Sequence, residues 1–388
     1  MSVAIIHEWL TTYAGSEKVV EQIVPVVKPE KLFVLVDHMS QDRPAFLDGL
    51  KVETSFLQRL PFSKKKYRGY LSLMPMAVEQ FDLSAFDVVI SSHHCVSHGV
   101  ITRPDQPHLV YTHSPMRYAW DLQHQYFQES GLARKRVRGS VAKLLLHYLR
   151  GWDYRAGQRP DFFCANSNFI ANRIRKFYRR EATVIHPPVD VNRFVPGSGC
   201  REDFYLTASR MVPYKKVSLI VEAFSRMPNK KLIVIGDGPE YLRIQSEAGP
   251  NISFLGYQPD NILKQYLCTA TAFVFAAQED FGILPVEAQA CGTPVIALGK
   301  GGTAETVIDG VTGVCFQDQT SQSLQAAVER FEVLSSKLSP EIIRRHAEQF
   351  SVERFQREFS VFVDRCLEEF GANRHKSNNR HEGRSCTR

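Results

Sequence analysis

The 388-residue chain has no apolar run long enough to cross a bilayer, which takes about 20 residues. It has no Cys-x-x-Cys pair. Its eight cysteines, at positions 95, 164, 200, 268, 291, 315, 366 and 386, are scattered. That spacing argues against a disulfide framework or a cysteine zinc site and fits reduced thiols in the cytoplasm. The N-terminal MSVAIIHEWL lacks the basic region and cleavage site of a signal peptide and reads as a first core strand. A large charge excess is missing too. The formal net charge is +7, and residues 371–388, with five Lys/Arg and one Glu, carry +4 of it. The body is thus only mildly basic, which argues against a dedicated nucleic-acid binder.

What is present is a globular composition, 44% hydrophobic and 23% charged, in a chain long enough for two domains. Apolar strand-like segments at 3–7, 31–36, 87–91 and 109–112 alternate with helical stretches, and so do segments at 204–209, 232–235, 251–255, 272–276 and 294–298. Such alternation predicts parallel, doubly wound α/β sheets. His186-Pro187-Pro188-Val189-Asp190 reads as a stiff interdomain segment, because residues before proline favour extended backbone. The predicted domains are 1–188 and 189–350, followed by an apolar-faced helix at 351–370 and a disordered basic tail at 371–388.

The densest chemistry lies in Ala276–Leu298, AAQEDFGILPVEAQACGTPVIAL. A strand ends, an acidic loop with Gly282 follows, and a helix is predicted to begin near Pro285, a residue suited to a first helical position. The N–H groups of Phe281, Gly282, Ile283 and Leu284 lie at that helix start, where unpaired donors attract phosphate. Glu279 and Glu287, eight residues apart, offer two acids that could grip sugar hydroxyls. Solvation of a helix N-terminus is the rival account of both acids and, taken alone, the plainer one for Glu279.

The run E-D-F-G-I-L-P-V-E with C-G-T-P-V-I-A resembles the E-x7-E signature of the retaining glycosyltransferases of family 4. The resemblance implies two Rossmann-like domains facing across a cleft, the glycosyltransferase-B fold, with a C-terminal helix crossing back to the first domain. It also implies that Glu287 binds the ribose of a nucleotide and Glu279 contacts the transferred sugar. Ser209-Arg210-Met211-Val212-Pro213-Tyr214-Lys215-Lys216 is similar to the family's [GS]-R-L-x-x-x-K-G. Arg210 and Lys215 then hold the donor diphosphate, and two fixed cations suit a leaving group that gains negative charge. Lys216 stands where the family usually has glycine, which leaves open which lysine meets phosphate. Gly236, in G-D-G-P-E, and Tyr257, after the strand at 251–255, are implied nucleoside contacts, with packing as the rival reading of Tyr257. Gly15, in a loop the family keeps glycine-rich near the diphosphate, is either a site residue or a simple turn glycine. Gly299–Glu305 either closes over the donor or makes a tight turn.

In the first half, His113 follows the strand at 109–112, and the family's histidine there contacts the transferred sugar. The continuation P-M-R-Y-A-W-D resembles a subgroup building O-antigen and other surface polysaccharides, mannosyltransferases among them. Arg117 then meets an acceptor phosphate, and Tyr118 and Trp120 either stack on sugar or simply pack. His93, His94 and His98 invite a metal reading, but with no carboxylate or cysteine ligand in evidence near them the expectation is no metal. Basic stretches at 59–68 and 134–159 flank this region, the second with an apolar cluster at Leu144, Leu145, Leu146, Tyr148 and Leu149. That helix either packs on its domain or lies on an anionic membrane.

Together these readings imply a metal-independent hexosyltransferase without a bound cofactor. It would use a nucleoside-diphosphate sugar, with GDP-mannose as first choice and a UDP-sugar as the alternative, and a saccharide or lipid-linked acceptor. It would lie in the cytoplasm, with possible peripheral contact on the inner face of the plasma membrane. A sugar-nucleotide epimerase and a non-catalytic partner of a polysaccharide-assembly complex are the rival readings.

Overall fold

The computed structural model describes residues 1–39, 43–129, 136–197 and 201–382. The chain divides into two units. The first comprises Met1–Ile185 and the chain from Phe355 onward, and the second comprises His186–Arg354.

The first unit holds a seven-stranded sheet of β1 (Val3–Leu10), β2 (Lys31–Asp37), β3 (Lys51–Thr54), β4 (Val88–His93), β5 (His108–Thr112), β6 (Phe162–Ala165) and β7 (Thr183–Val184), in the order 3-2-1-4-5-6-7. The second holds a six-stranded sheet of β8 (Tyr205–Ala208), β9 (Leu232–Ile235), β10 (Ile252–Gly256), β11 (Ala272–Phe275), β12 (Val295–Leu298) and β13 (Gly313–Phe316), in the order 10-9-8-11-12-13. Every strand pair is parallel. Central strands such as β4, β5, β8 and β12 are buried along their whole length, as sheets covered on both faces require. The order reverses between β1 and β4 and again between β8 and β11, and the loops leaving the carboxyl ends there are where ligands of such sheets bind.

Edge elements escape the sequence pattern. β3 is half exposed and β7 has two residues, so neither shows an apolar run. Helix Ile283–Ala290 begins two residues before Pro285. Pro285 still sits in the first turn, where its missing N–H costs nothing. Gly282, with φ of +89°, caps that helix.

The last helix, Val352–Glu382, runs past residue 370 through the stretch read as a disordered tail; residues 383–388 lie outside the described residues. It has no proline and one glycine, Gly371, to interrupt it. Its Phe355, Phe359, Phe362 and Val363 are buried with Val3, Ile5, Val20 and Ile23 in the first unit's core. The two chain passages meet inside the second unit, where the Val189 N–H donates to the Phe350 carbonyl at 2.8 Å and Arg354 Nη1 donates to the His186 carbonyl at 2.9 Å.

Two backbone features shape the loop after β8. Gly236 has φ of +126°, and a Cβ there would lie 1.9 Å from the Ser209 carbonyl oxygen. Lys216 has φ of +55°, a left-handed conformation that glycine adopts at no steric cost. That accounts for the glycine usual at this place. Gly236→Ala is therefore expected to cost about 2 kcal/mol or more. Lys216→Gly is expected to raise stability by about 0.5–1 kcal/mol. Phe359→Ala should lose about 3–5 kcal/mol by emptying a core position. Urea denaturation of each variant checks sign and size.

Candidate functional site

In the second unit, the loops leaving β8 and β11 meet at the strand-order reversal. Lys215 Nζ lies 2.6 Å from Glu279 Oε1, and both side chains are largely buried. Lys215 also lies 5.9 Å from the centre of the Phe275 ring on β11. Arg210 is exposed on the same loop and makes no ion pair among the described residues. The Met211 N–H donates to the Asp237 carbonyl at 2.8 Å, which ties this loop to the Gly236–Gly238 turn.

The Glu279 loop is fixed from its far side. The Gly302 N–H donates to the Glu279 carbonyl at 2.7 Å, and a Cβ on Gly302 would lie 2.3 Å from Phe281 Cα. Gly299–Glu305 is thus a tight turn packed against residues 279–281. Phe281 is a core residue, its ring beside His186 and Phe350. Gly282, Ile283 and Leu284 are partly open at the helix start, and Glu287, in the same helix, is buried. The structure therefore brings Lys215, Glu279 and the helix start together and leaves Arg210 free to reach solvent. Tyr257, just past β10, is 76% exposed and its ring is open to stacking. Sequence reasoning missed His186, whose Nε2 lies 3.2 Å from Glu305 Oε2.

In the first unit, His113 follows β5 directly. Its N–H donates to the His93 carbonyl at 2.8 Å, and its Nε2 lies 2.8 Å from Ser92 Oγ. Burial, ahead of neighbouring His94 and His7, holds its pKa well below the ordinary histidine value, so the ring is neutral at pH 7. Arg117 Nε donates to Ser114 Oγ at 3.2 Å. The aromatic pair behind it packs. Tyr118 Oη lies 2.9 Å from Cys95 Sγ, and Trp120 stacks on Phe177 at 4.7 Å and donates from Nε1 to Asp153 Oδ2 at 2.7 Å. Gly15 opens helix Gly15–Val27 without a positive φ, so no turn conformation demands it.

The expectation that no carboxylate or cysteine lies near His93, His94 and His98 is corrected. Glu8, Asp153 and Cys95 surround them. Glu8 accepts the N–H groups of His94, Cys95, Val96 and Ser97 at 2.7–3.1 Å. Burial alone would raise its pKa, but the His93 hydrogen bond and the charges of His94 and His93 hold it well below the usual range. Asp153 Oδ2 accepts from Trp120 and from Tyr178 Oη at 3.0 Å, while its Oδ1 lies 3.4 Å from His98 Nε2. Burial pushes Asp153 up to about 6. His93, His98 and Asp153 form a fully buried group whose ligand atoms lie within 4.8 Å of one another. The two acids lie 55 or more residues from these histidines in the chain, beyond the reach of any local motif, whereas Cys95 directly follows His94.

Residues 33–193 match the family described as Glycosyltransferase Family 4, and residues 189–349 match Glycosyl transferases group 1. The chain is similar to the D-inositol 3-phosphate glycosyltransferase of Geodermatophilus obscurus, with 32% identity over 209 residues, 45% of each protein. The counterpart from Mycolicibacterium smegmatis is 30% identical over 199 residues, again 45% of each. The match thus spans less than half the length of these relatives. Among solved structures, sucrose-phosphate synthase from Thermosynechococcus elongatus superposes with a TM-score of 0.70 at 17% identity, covering 95% of this chain and 100% of that one. Anabaena HepE, in complex with UDP and glucose, superposes with a TM-score of 0.65 at 18% identity, covering 93% and 99%. The structural likeness carries the fold and the two domain matches carry the family: this chain is a Glycosyltransferase Family 4 domain followed by a Glycosyl transferases group 1 domain, two Rossmann-like units of the glycosyltransferase-B fold.

Proposed function

We propose that the chain transfers a hexosyl group, with retention and without a metal, from a nucleoside-diphosphate sugar to a phosphate-bearing or lipid-linked saccharide acceptor. The observation that carries this reading is the Lys215–Glu279 pair at 2.6 Å beside the Gly282-capped helix start. Arg210, Lys215 and the N–H groups of Phe281 to Leu284 hold the diphosphate and stabilise the charge that develops on it. Gly15 adds backbone contact. Glu287 binds ribose, and Tyr257 and the turn at Gly236 border the base. Glu279 and His113 orient the transferred sugar. Arg117 meets the acceptor; Tyr118 and Trp120 shape its surroundings from within the core.

The motif at 115–121 favours GDP-mannose and a role in surface polysaccharide synthesis. A UDP-sugar is the second reading, favoured by the structural likeness to HepE, whose complexes contain UDP and glucose or UDP-glucose. The acceptor reading draws on the similarity to enzymes named for D-inositol 3-phosphate.

Helix Arg136–Ala156 supports contact with an anionic bilayer at the cytoplasmic membrane face. Val137, Val141, Leu144 and Tyr148 are 78%, 61%, 70% and 48% exposed. Their spacing of four, three and four residues makes one apolar stripe. Exposed Arg138, Lys143 and Arg155 accompany it, while Leu146, Leu149 and Trp152 bury the opposite side in the core. No described helix is long and apolar enough to cross a membrane, so contact is with the surface.

Glu279→Ala is expected to abolish transfer while nucleotide binding, read by thermal shift against UDP-, GDP- and ADP-sugars, persists. Loss of both together would refute the division of roles. EDTA is expected to change neither. Val141→Asp with Leu144→Asp should lower co-sedimentation with phosphatidylglycerol vesicles by about tenfold or more. Unchanged binding would assign the stripe another role.

A further inference from the structure

A run of hydrogen bonds at the carboxyl ends of β1, β4 and β5 is absorbed by none of the roles above. His7 Nε2 lies 3.3 Å from Glu17 Oε1. His7 Nδ1 lies 3.1 Å from Ser92 Oγ, and Ser92 Oγ lies 2.8 Å from His113 Nε2. Glu17, His7 and Ser92 are buried. The sheet register builds the run. His7 on β1 pairs with Ser92 on β4, His93 pairs with Thr112 on β5, and His113 is the next residue out. Glu17 reaches His7 from the first turn of helix Gly15–Val27.

Such a run has a direction. An ionised carboxylate only accepts hydrogen bonds, a serine hydroxyl has one proton to give, and a neutral imidazole has one N–H and one lone pair. Glu17 is set up to be ionised, because its Oε2 also accepts the Ala14 N–H at 3.1 Å and the Ser16 hydroxyl at 3.0 Å. Burial raises its pKa, but the hydrogen bond of His7, with backbone hydrogen bonding, offsets that and leaves it below the ordinary value. Glu17 therefore takes the Nε2 proton of His7. In its singly protonated form, with that proton on Nε2, His7 keeps an Nδ1 lone pair, which accepts the Ser92 hydroxyl proton. The Ser92 oxygen, its proton committed, accepts from His113 Nε2–H. The remaining nitrogen of His113, Nδ1, is left as a lone-pair acceptor.

The other ionisable groups packed here do not interrupt the sequence. His94, with its ring centre 5.9 Å from that of His7 and 6.2 Å from that of His113, is held at about 4, by burial first, and is neutral. Glu8 is committed to the backbone N–H groups of 94–97.

We infer that Glu17, His7 and Ser92 are positioning residues that fix His113 in the Nε2–H tautomer and present its Nδ1 as an acceptor for a sugar hydroxyl. The sugar rests on the function proposed above; the tautomer does not. The relay selects a hexose that carries a hydroxyl at the point His113 meets, because a deoxy analogue leaves Nδ1 without a donor.

The test is a two-bond 15N–1H correlation spectrum of the histidine-labelled full chain at pH 8, where an ordinary imidazole carries one proton. His113 is assigned by its loss in His113→Gln. The expected result is a pure Nε2–H pattern for His113 in the wild type. In Glu17→Gln, whose amide can both donate and accept, a mixed pattern is expected, and Ser92→Ala should mix it as well. An Nδ1–H pattern in the wild type overturns the relay, and this needs no variant to fold. A wild-type pattern that neither variant moves overturns it equally. In turnover, Glu17→Gln is expected to lower kcat about tenfold or more with KM little changed. A correct tautomer with no transfer from any sugar nucleotide would refute the function and spare the relay. Transfer with the wrong tautomer would refute the relay alone.

Discussion

Each sheet is wound outward from an interior strand in both directions, and both groups of site residues depend on that reversal. Where the winding changes sense, the loops leaving two adjacent strands diverge to opposite faces, and the carboxyl ends between them stay uncovered. In the second unit the reversal separates β8 from β11, and it is there that Lys215 and Glu279 come within 2.6 Å. In the first unit it separates β1 from β4, and His7, Ser92 and His113 cross that point in register. Parallel pairing sets this, since it aligns all carboxyl ends at one edge of the sheet.

Burial then decides what each side chain at those edges can do. Glu8 lies on β1 and Glu17 in the first turn of the helix that follows it, yet they serve differently. Glu8 spends its carboxylate on four backbone N–H groups and so shapes the 94–97 turn. Glu17 divides its own between a helix start and His7. A buried carboxylate without such donors would not remain charged. Asp153, with two neutral donors and a histidine, is the intermediate case, and its carboxyl is pushed up to about 6.

Much of this was legible in the sequence, and what was hidden has common causes. Central strands such as β4 and β9 announce themselves because burial on both faces demands continuous apolar runs. The E-x7-E segment was readable because loop, cap and helix follow one another directly in the chain. β3 and β7 were missed because a short or half-exposed edge has no such run. The Glu8 cradle, the Asp153 group and the Glu17–His7–Ser92–His113 relay were missed because strand register and helix packing, not spacing, bring their members together. Trp120 and Tyr118 looked alike as sugar platforms or core residues in the sequence, and only Asp153, Phe177 and Cys95 show that the core holds them.

The return of Phe355, Phe359 and Phe362 to the first unit bears on how the chain is made. The ribosome releases residues 1–185 long before the helix that completes their core. Roughly 170 residues of the second unit are synthesised in between, which takes about ten to thirty seconds at ordinary elongation rates. The second unit, contiguous in sequence, can close first. The first then waits, with the face around Val3, Ile5 and Val20 uncovered, until translation reaches Phe355.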